Sequence, residues 1–220
     1  MKPQSSSTAL FFSVIAIAAF SFLFFQKKKI EKHEKNQAKS VVLATNTPLT
    51  LEEKYDSIFN ANPYYISSSF DFPVGKPNAE NYFKAREFGE SNHLGEDWNG
   101  IGGGNSDLGD AVFSISEGYI SFAEHVCCGW GNIVRVVHRT PQHPELDYVE
   151  SFYAHLDQIH VQEGQLVERG QQIGTIGTAD GKYSAHLHLE MRSFIDMGIG
   201  KGYSVDHFGF LVPTKFIEEY

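Results

Sequence analysis

The chain has 220 residues, 41% of them hydrophobic and 20 of them glycine, which is enough for one sizeable domain with appendages. Its net charge of −9 is uneven, since the first 40 residues hold seven lysines and two glutamates, whereas the remaining 180 hold 11 basic and 25 acidic side chains. An acidic body argues against nucleic acid as a partner, because phosphate backbones require a basic surface.

Residues 9–25, ALFFSVIAIAAFSFLFF, form an apolar run without a charged side chain. As a helix this run would rise roughly 26 Å, close to the roughly 30 Å hydrocarbon core of a bilayer. A cleaved signal peptide is one interpretation, with the small residues at 16–18 as its cleavage site. Because the apolar run continues through Phe25, we favour an uncleaved single-span anchor. Residues 1–25 are therefore predicted to be a membrane anchor or signal segment, with the following lysines as its basic flank.

Residues 26–60 are predicted to be a juxtamembrane linker, because they are lysine-rich and then rich in Asn, Thr and Pro, without a sustained period. Within this linker, residues 51–60 are predicted to form a short amphipathic helix. Residues 61–220 are the predicted folded domain, which opens with strand-like residues at 64–75.

The folded domain carries the pattern of many short strands. Two strands are predicted within 111–124 around a Glu-Gly turn, and others at 131–139, 149–156 and 184–192. Glycines at 164, 170, 174 and 177 are typical of tight turns between short strands. We predict an all-β fold, an antiparallel sheet sandwich or open barrel with glycine-rich turns, preceded by one N-terminal transmembrane helix.

The pair His186 and His188 lies on one face of the last strand, because residues i and i+2 point to the same side of a sheet. Taken alone, this pair is more often a solvated strand edge, with Leu187 and Leu189 packed in the core. The alternative is a metal site, since neutral imidazole is a common zinc ligand.

Two further segments favour the metal site. His93 and Asp97 are four residues apart around a glycine, where a bend would let both side chains converge, and His155 lies in an aromatic strand. A catalytic zinc site needs three protein ligands and one open position. His93, Asp97 and one member of the His186/His188 pair supply three ligands. His155 and the other member of the pair are then left for proton transfer.

The order and spacing of these segments resemble the lysostaphin-type (LytM-type) zinc metallopeptidases. That family combines HxxxD, a Tyr-x-His-Leu segment followed by glycine turns, and HLHFE. The matching segments are HLGED at 93–97, YAHL at 153–156, VQEGQLVERGQQIGTIG at 161–177 and HLHLE at 186–190. The resemblance spans roughly residues 66–213, and its departures, such as Leu189 for the usual Phe, touch no matched ligand.

The resemblance implies a zinc metalloendopeptidase, a hydrolase that cleaves peptide bonds in peptidoglycan stem peptides or cross-links by metal-activated water. It implies one Zn²⁺ and three kinds of site residue, namely the metal ligands His93, Asp97 and His188, the catalytic histidines His155 and His186, and Glu190 next to the ligands. Two alternatives stay open, a non-enzymatic regulator of another cell-wall hydrolase and a peptidase for a secreted protein. Regulators of this type lose ligands or catalytic histidines, and here all five positions are filled.

Peptidoglycan lies outside the cytoplasmic membrane, so the resemblance implies a periplasmic or other extracytoplasmic catalytic domain, secreted if the N-terminal segment is cleaved. The lysines that follow the apolar run conflict with this location, because the positive-inside rule keeps basic flanks in the cytoplasm. Peptidoglycan peptides and the membrane are the expected partners, and a protein activator is left open.

Cys127 and Cys128 are adjacent in the sequence. A disulfide between neighbouring residues requires a strained ring. We therefore predict two free, partly buried thiols, with a vicinal disulfide or a metal contact as the alternatives.

Overall fold

The computed structural model describes residues 27–32, 35 and 48–220. The chain divides into two units, Met1–Tyr55 and Asp56–Tyr220. The predicted anchor or signal segment at 1–25 lies outside the described residues, and within the described ranges no helix has the length and apolar character needed to cross a membrane. Residues 27–32 are helical.

The helices and strands agree with the predicted series of short strands. In chain order they are α1 (Leu51–Ala61), β1 (Tyr82–Arg86), β2 (Glu96–Gly100), β3 (Ala111–Phe113), β4 (Gly118–Val126), β5 (Gly131–Arg139), β6 (Tyr148–Ile159), β7 (Leu166–Val167), β8 (Gln172–Ile176), β9 (Leu187–Arg192), β10 (Phe210–Leu211) and α2 (Pro213–Glu219). The strand-like stretch at 64–75, all of it described, contains no strand, so that prediction is wrong. Helix α2, which begins at a proline as helices often do, was not predicted.

All strand pairs are antiparallel, in the order β1-β2-β9-β6-β5-β4-β7, which confirms the predicted antiparallel β architecture. The sheet branches at β6 instead of separating into two sheets. The first part of β6 pairs with β9, from Glu150 to Ala154, and its last part pairs with β8, from Leu156 to Ile159. A single long strand therefore joins both parts of the sheet.

Strand β9 is buried on both faces. Leu187, Leu189 and Met191 are fully buried in the main hydrophobic core, as the alternation of the sequence predicts. The opposite face carries His188 and Glu190, which are also buried. The histidine-bearing face is therefore not a solvated edge, and its polar groups must find partners inside the protein.

A buried hydrogen-bond network joins β5 to β6 through His138, which is fully buried. Its Nδ1–H donates to the Glu117 carbonyl at 2.8 Å, so its Nε2 accepts from the Ser151 hydroxyl at 2.7 Å. Ser151 Oγ also lies 3.1 Å from the Tyr153 hydroxyl, which accepts from the Ile115 N–H. Burial lowers the pKa of His138 to about 4, although the bond to Glu117 opposes this shift.

We expect the free energy of unfolding to fall as the pH drops from about 6.5, the ordinary pKa of histidine, to about 4. In this range the unfolded chain binds a proton at His138 that the folded chain excludes, which costs up to about 3 kcal/mol. His138→Gln, which does not titrate, should show a shallower loss in urea unfolding across this pH range. The exposed control His160→Gln should keep the wild-type slope. Equal slopes for His138→Gln and wild type would contradict this account.

Candidate functional site

Three side chains from β2, β9 and the turn before β2 converge at one end of β9. Asp97 and His188 are directly paired across the strands, and His93 lies just before β2. His188 Nδ1 is 2.9 Å from Asp97 Oδ1 and 3.0 Å from His93 Nε2, and the last two atoms are 3.3 Å apart. Gly95 permits this approach, because a Cβ there would lie 2.4 Å from the Leu189 carbonyl oxygen. The structure thus brings together the three residues predicted as ligands.

Hydrogen bonds between these buried groups set their charges. Burial alone would raise the pKa of Asp97, but the hydrogen bonds from His188 and His93 hold it well below its ordinary value. Burial alone would lower the pKa of His188, but its hydrogen bonds to Asp97 and Glu190 raise it to about 9. Without a metal, His188 therefore holds a proton near neutral pH, and an ion that binds at Nδ1 must displace that proton.

The three converging atoms fit a metal ion in size and chemistry. Ligand atoms of His93, Asp97 and His188 all lie within 4.8 Å of one another. A tetrahedral Zn²⁺ with bonds of about 2.0–2.1 Å separates neighbouring ligand atoms by about 3.3 Å. The three observed separations, 2.9, 3.0 and 3.3 Å, are close to that value. Two imidazoles and one carboxylate also match catalytic zinc sites that keep a fourth position open.

A buried chain of charges lies behind His188. Its Nε2 is 3.1 Å from Glu190 Oε1, and Glu190 Oε2 accepts hydrogen bonds from Arg192 at 2.6 and 2.8 Å. Arg192 also reaches Glu150 at 3.4 Å, and Glu190, Arg192 and Glu150 are each no more than 1% exposed. A carboxylate on the far nitrogen fixes the orientation of a ligating histidine. Glu190 therefore holds His188 with Nδ1 turned toward Asp97.

His155 enters the site through a β-bulge in β6. The register of β5 and β6 shifts between Asn132 and Val134, where β6 contains one extra residue, and His155 has a φ of 62°. A non-glycine residue in this left-handed region carries strain of about 1–3 kcal/mol. Bulges next to active sites typically redirect a side chain. Here the bulge lies where β6 exchanges its partner β9 for β8.

Backbone carbonyls fix the tautomers of His155 and His186. The Trp130 carbonyl accepts from the His155 backbone N–H at 2.9 Å and from its Nδ1–H at 3.1 Å. The Ser184 carbonyl accepts from His186 Nδ1–H at 2.8 Å. Because a carbonyl only accepts, each neutral ring presents the lone pair of its Nε2. The ring of His155 lies 4.8 Å from His186 and 5.6 Å from His188, so all predicted histidines occupy one site.

The charge state of His155 depends on its neighbours. Burial, followed by the charges of His188 and His186, lowers the pKa of His155 to about 3. The ring is therefore a neutral hydrogen-bond acceptor near pH 7.

A groove of about 650 Å³ is lined by Asp97, His155, His186 and His188. Its walls combine aromatic and cationic side chains, namely Trp130, Tyr183, Tyr203, Arg86 and Lys201. Trp130 stacks on His155 with ring centroids 5.9 Å apart, and Tyr203 lies 5.2 Å from His93. Sequence reasoning missed these wall residues, because they come from distant segments that no spacing relates. The same holds for Glu150 and Arg192 behind the site.

Both cysteines are free thiols on the wall of this groove. Cys127 and Cys128 lie in the turn that joins β4 to β5, beyond the last paired residues Val126 and Gly131. The prediction of free thiols is confirmed. The prediction of partial burial is wrong, since both residues are exposed.

Comparison with known proteins places the site in a family context. The chain is 36% identical over 84 residues to the murein hydrolase activator NlpD of Escherichia coli, covering 38% of this chain and 20% of that protein. It is 29% identical over 181 residues to the outer membrane antigenic lipoprotein B of Haemophilus influenzae, covering 80% of this chain and 38% of that protein. The chain therefore spans well under half the length of these relatives.

Among solved structures, lysostaphin from Staphylococcus simulans is 24% identical, with a TM-score of 0.48 over 63% of this chain and 50% of that one. The family described as peptidase family M23 matches residues 93–206, a span that begins at His93 and includes every histidine of the site. Because that match covers more than half of the 220 residues, the chain belongs to peptidase family M23.

Proposed function

We propose that this chain is a zinc-dependent endopeptidase that hydrolyses peptide bonds in peptidoglycan stem peptides or cross-links. The observation that carries the proposal is the convergence of His93, Asp97 and His188, with His155 and His186 beside them in an open groove. Membership in a peptidase family supports the hydrolytic reaction.

In this proposal His93 Nε2, Asp97 Oδ1 and His188 Nδ1 would hold the metal. When bound, zinc supplies Lewis-acid polarisation and lowers the pKa of water. His155 accepts a proton from the attacking water at Nε2, because the Trp130 carbonyl keeps its other nitrogen protonated. In its protonated form His186 donates a hydrogen bond from Nε2 to the oxyanion that develops at the scissile carbonyl. His155 then passes the proton it accepted to the leaving amine as the C–N bond breaks.

The groove also fits a peptide that carries carboxylates. Arg86 and Lys201 lie on its walls, and among the described residues the only acidic side chain that lines it is Asp97, one of the proposed ligands. This cationic surface contrasts with the acidic composition of residues 41–220. Complementary charge favours encounter with an anionic substrate.

A second candidate function is the activation of another cell-wall hydrolase. The relative NlpD is a murein hydrolase activator, and its similarity to this chain favours that role. An activator needs no turnover of its own, so peptidoglycan digestion by the isolated chain distinguishes the two functions. We propose a location in the cell envelope for either role, with residues 1–25 as its anchor or signal segment.

We expect His155→Ala to lower the digestion of purified peptidoglycan by about 10²–10⁴-fold while zinc stays bound, because the variant loses a proton acceptor and keeps all three ligands. His188→Ala should lose both activity and zinc. Mass analysis of the released peptides and metal content of the full-length chain measure the two effects. A chelator should abolish the wild-type digestion.

The matched control is His160→Ala, an exposed histidine outside the groove, which should keep zinc and turnover. Wild-type turnover in His155→Ala would show that the assigned role is wrong. A zinc-loaded wild-type chain that releases no peptide would favour the activator.

We expect Glu190→Gln to weaken zinc binding by about 10–100-fold, because an amide carries no charge to hold His188 in its ligating orientation. Competition with a chromophoric chelator measures this affinity, and circular dichroism checks that the variant is folded. Glu163→Gln, an exposed substitution with the same change of charge, should bind zinc like wild type. Equal affinities for both variants would argue against the positioning role of Glu190.

A further inference from the structure

Cys127 and Cys128 are the only cysteines of the chain, and they open the turn at 127–130 that joins β4 to β5. Both are exposed and line the groove. The side chain of the neighbouring Cys128 raises the pKa of the Cys127 thiol. Two exposed thiols on adjacent residues of an open wall can react with solutes and then with each other.

The same turn positions His155. Its last residue, Trp130, provides the carbonyl that accepts two hydrogen bonds from His155. Cys128 has a φ of 69° and Gly129 a φ of 106°, and Lys182 Nζ donates to the Cys128 carbonyl at 3.2 Å. The backbone path from Cys128 to Trp130 therefore determines where the carbonyl that holds His155 lies.

We propose that Cys127 and Cys128 form a reversible redox site, in which exchange with a disulfide-bearing molecule closes a vicinal disulfide and displaces His155. The Cys128 thiolate attacks one sulfur of the incoming disulfide, forms a mixed disulfide and releases the other sulfur as a thiolate. Cys127 then gives its proton to solvent and attacks the Cys128 sulfur, which releases the second thiolate. The pair loses two protons and two electrons, and the incoming disulfide is reduced to two thiols.

Strain in the vicinal disulfide has two effects: it changes the backbone of the turn, and it makes the disulfide easy to reduce. Neighbouring Cα atoms lie about 3.8 Å apart across a trans peptide, whereas disulfides usually join Cα atoms about 4.4–6.8 Å apart. Ring closure must therefore change the backbone of the turn, and a strained disulfide is easily reduced. Displacement of the Trp130 carbonyl removes the partner of His155 Nδ1. The consequence for turnover rests on the proposed peptidase function, whereas formation of the disulfide does not.

The test uses the zinc-loaded, full-length chain treated with oxidised glutathione, then alkylated and weighed by mass spectrometry. We expect a monomer that has lost the mass of two hydrogen atoms and carries neither glutathione nor alkyl groups, with full reversal by dithiothreitol. Cys127→Ser and Cys128→Ser should each retain one glutathione instead. Stable glutathione adducts on wild type, disulfide-linked dimers, or unreacted thiols would overturn the proposal.

Turnover of peptidoglycan then tests the coupling to His155. Oxidation should lower wild-type turnover on the order of 100-fold with zinc retained, the cost of misplacing a catalytic group by about 1 Å. Oxidised glutathione should leave the turnover of the double variant Cys127→Ser/Cys128→Ser at its own untreated value. A closed ring with unchanged turnover refutes the coupling. A reduced chain that closes the ring but never digests peptidoglycan refutes the proposed function and leaves the redox site intact.

Discussion

The antiparallel register of β2, β9 and β6 is the constraint on which the site depends. It pairs Asp97 with His188 on one side of β9 and His188 with Ala154 on the other, next to His155. A slip of β9 by one residue would point His188 toward the hydrophobic core and would point a leucine toward the site. The burial of Leu187 and Leu189 opposes such a slip, so the hydrophobic core and the candidate ligands specify the same register.

The charges behind the site explain how a buried histidine keeps its orientation. Burying Glu190, Arg192 and Glu150 carries a desolvation cost that their pairing offsets only in part. In return, Arg192 donates to the carbonyls of Gly198 and Ile199, which ties β9 to a loop that lines the groove. We infer that this network fixes the positions of side chains in the site more than it raises the free energy of unfolding. The orientation of His188 and the position of one groove wall then depend on the same ion pairs.

The sequence allowed most strands to be predicted, because alternating burial is a local pattern. The set His93, Asp97 and His188 joins residues more than 90 positions apart, and it was predicted from the resemblance of three separate motifs to a family. The sequence did not allow the β-bulge at His155 to be predicted, since the extra residue exists only relative to the register of β5. Partners such as Glu150 were missed for a related reason: their contacts join residues more than 40 positions apart. The exposure of Cys127 and Cys128 followed from the end of strand pairing, which their apolar neighbours in the sequence do not reveal.

The balance of costs at the site bears on the choice between a peptidase and an activator. The fold accommodates a left-handed φ at His155 and a buried cluster in which His188 and Asp97 are both charged without metal. A protein that only docks onto a partner needs neither feature. An unstrained backbone and apolar side chains of the same volume would give it a more stable fold. Both features serve a purpose if a metal ion replaces the proton at His188 and the neutral ring of His155 must face that ion. These costs support the proposed catalysis by the chain itself, and the turn at 127–130 then lies beside the residues that such catalysis would use.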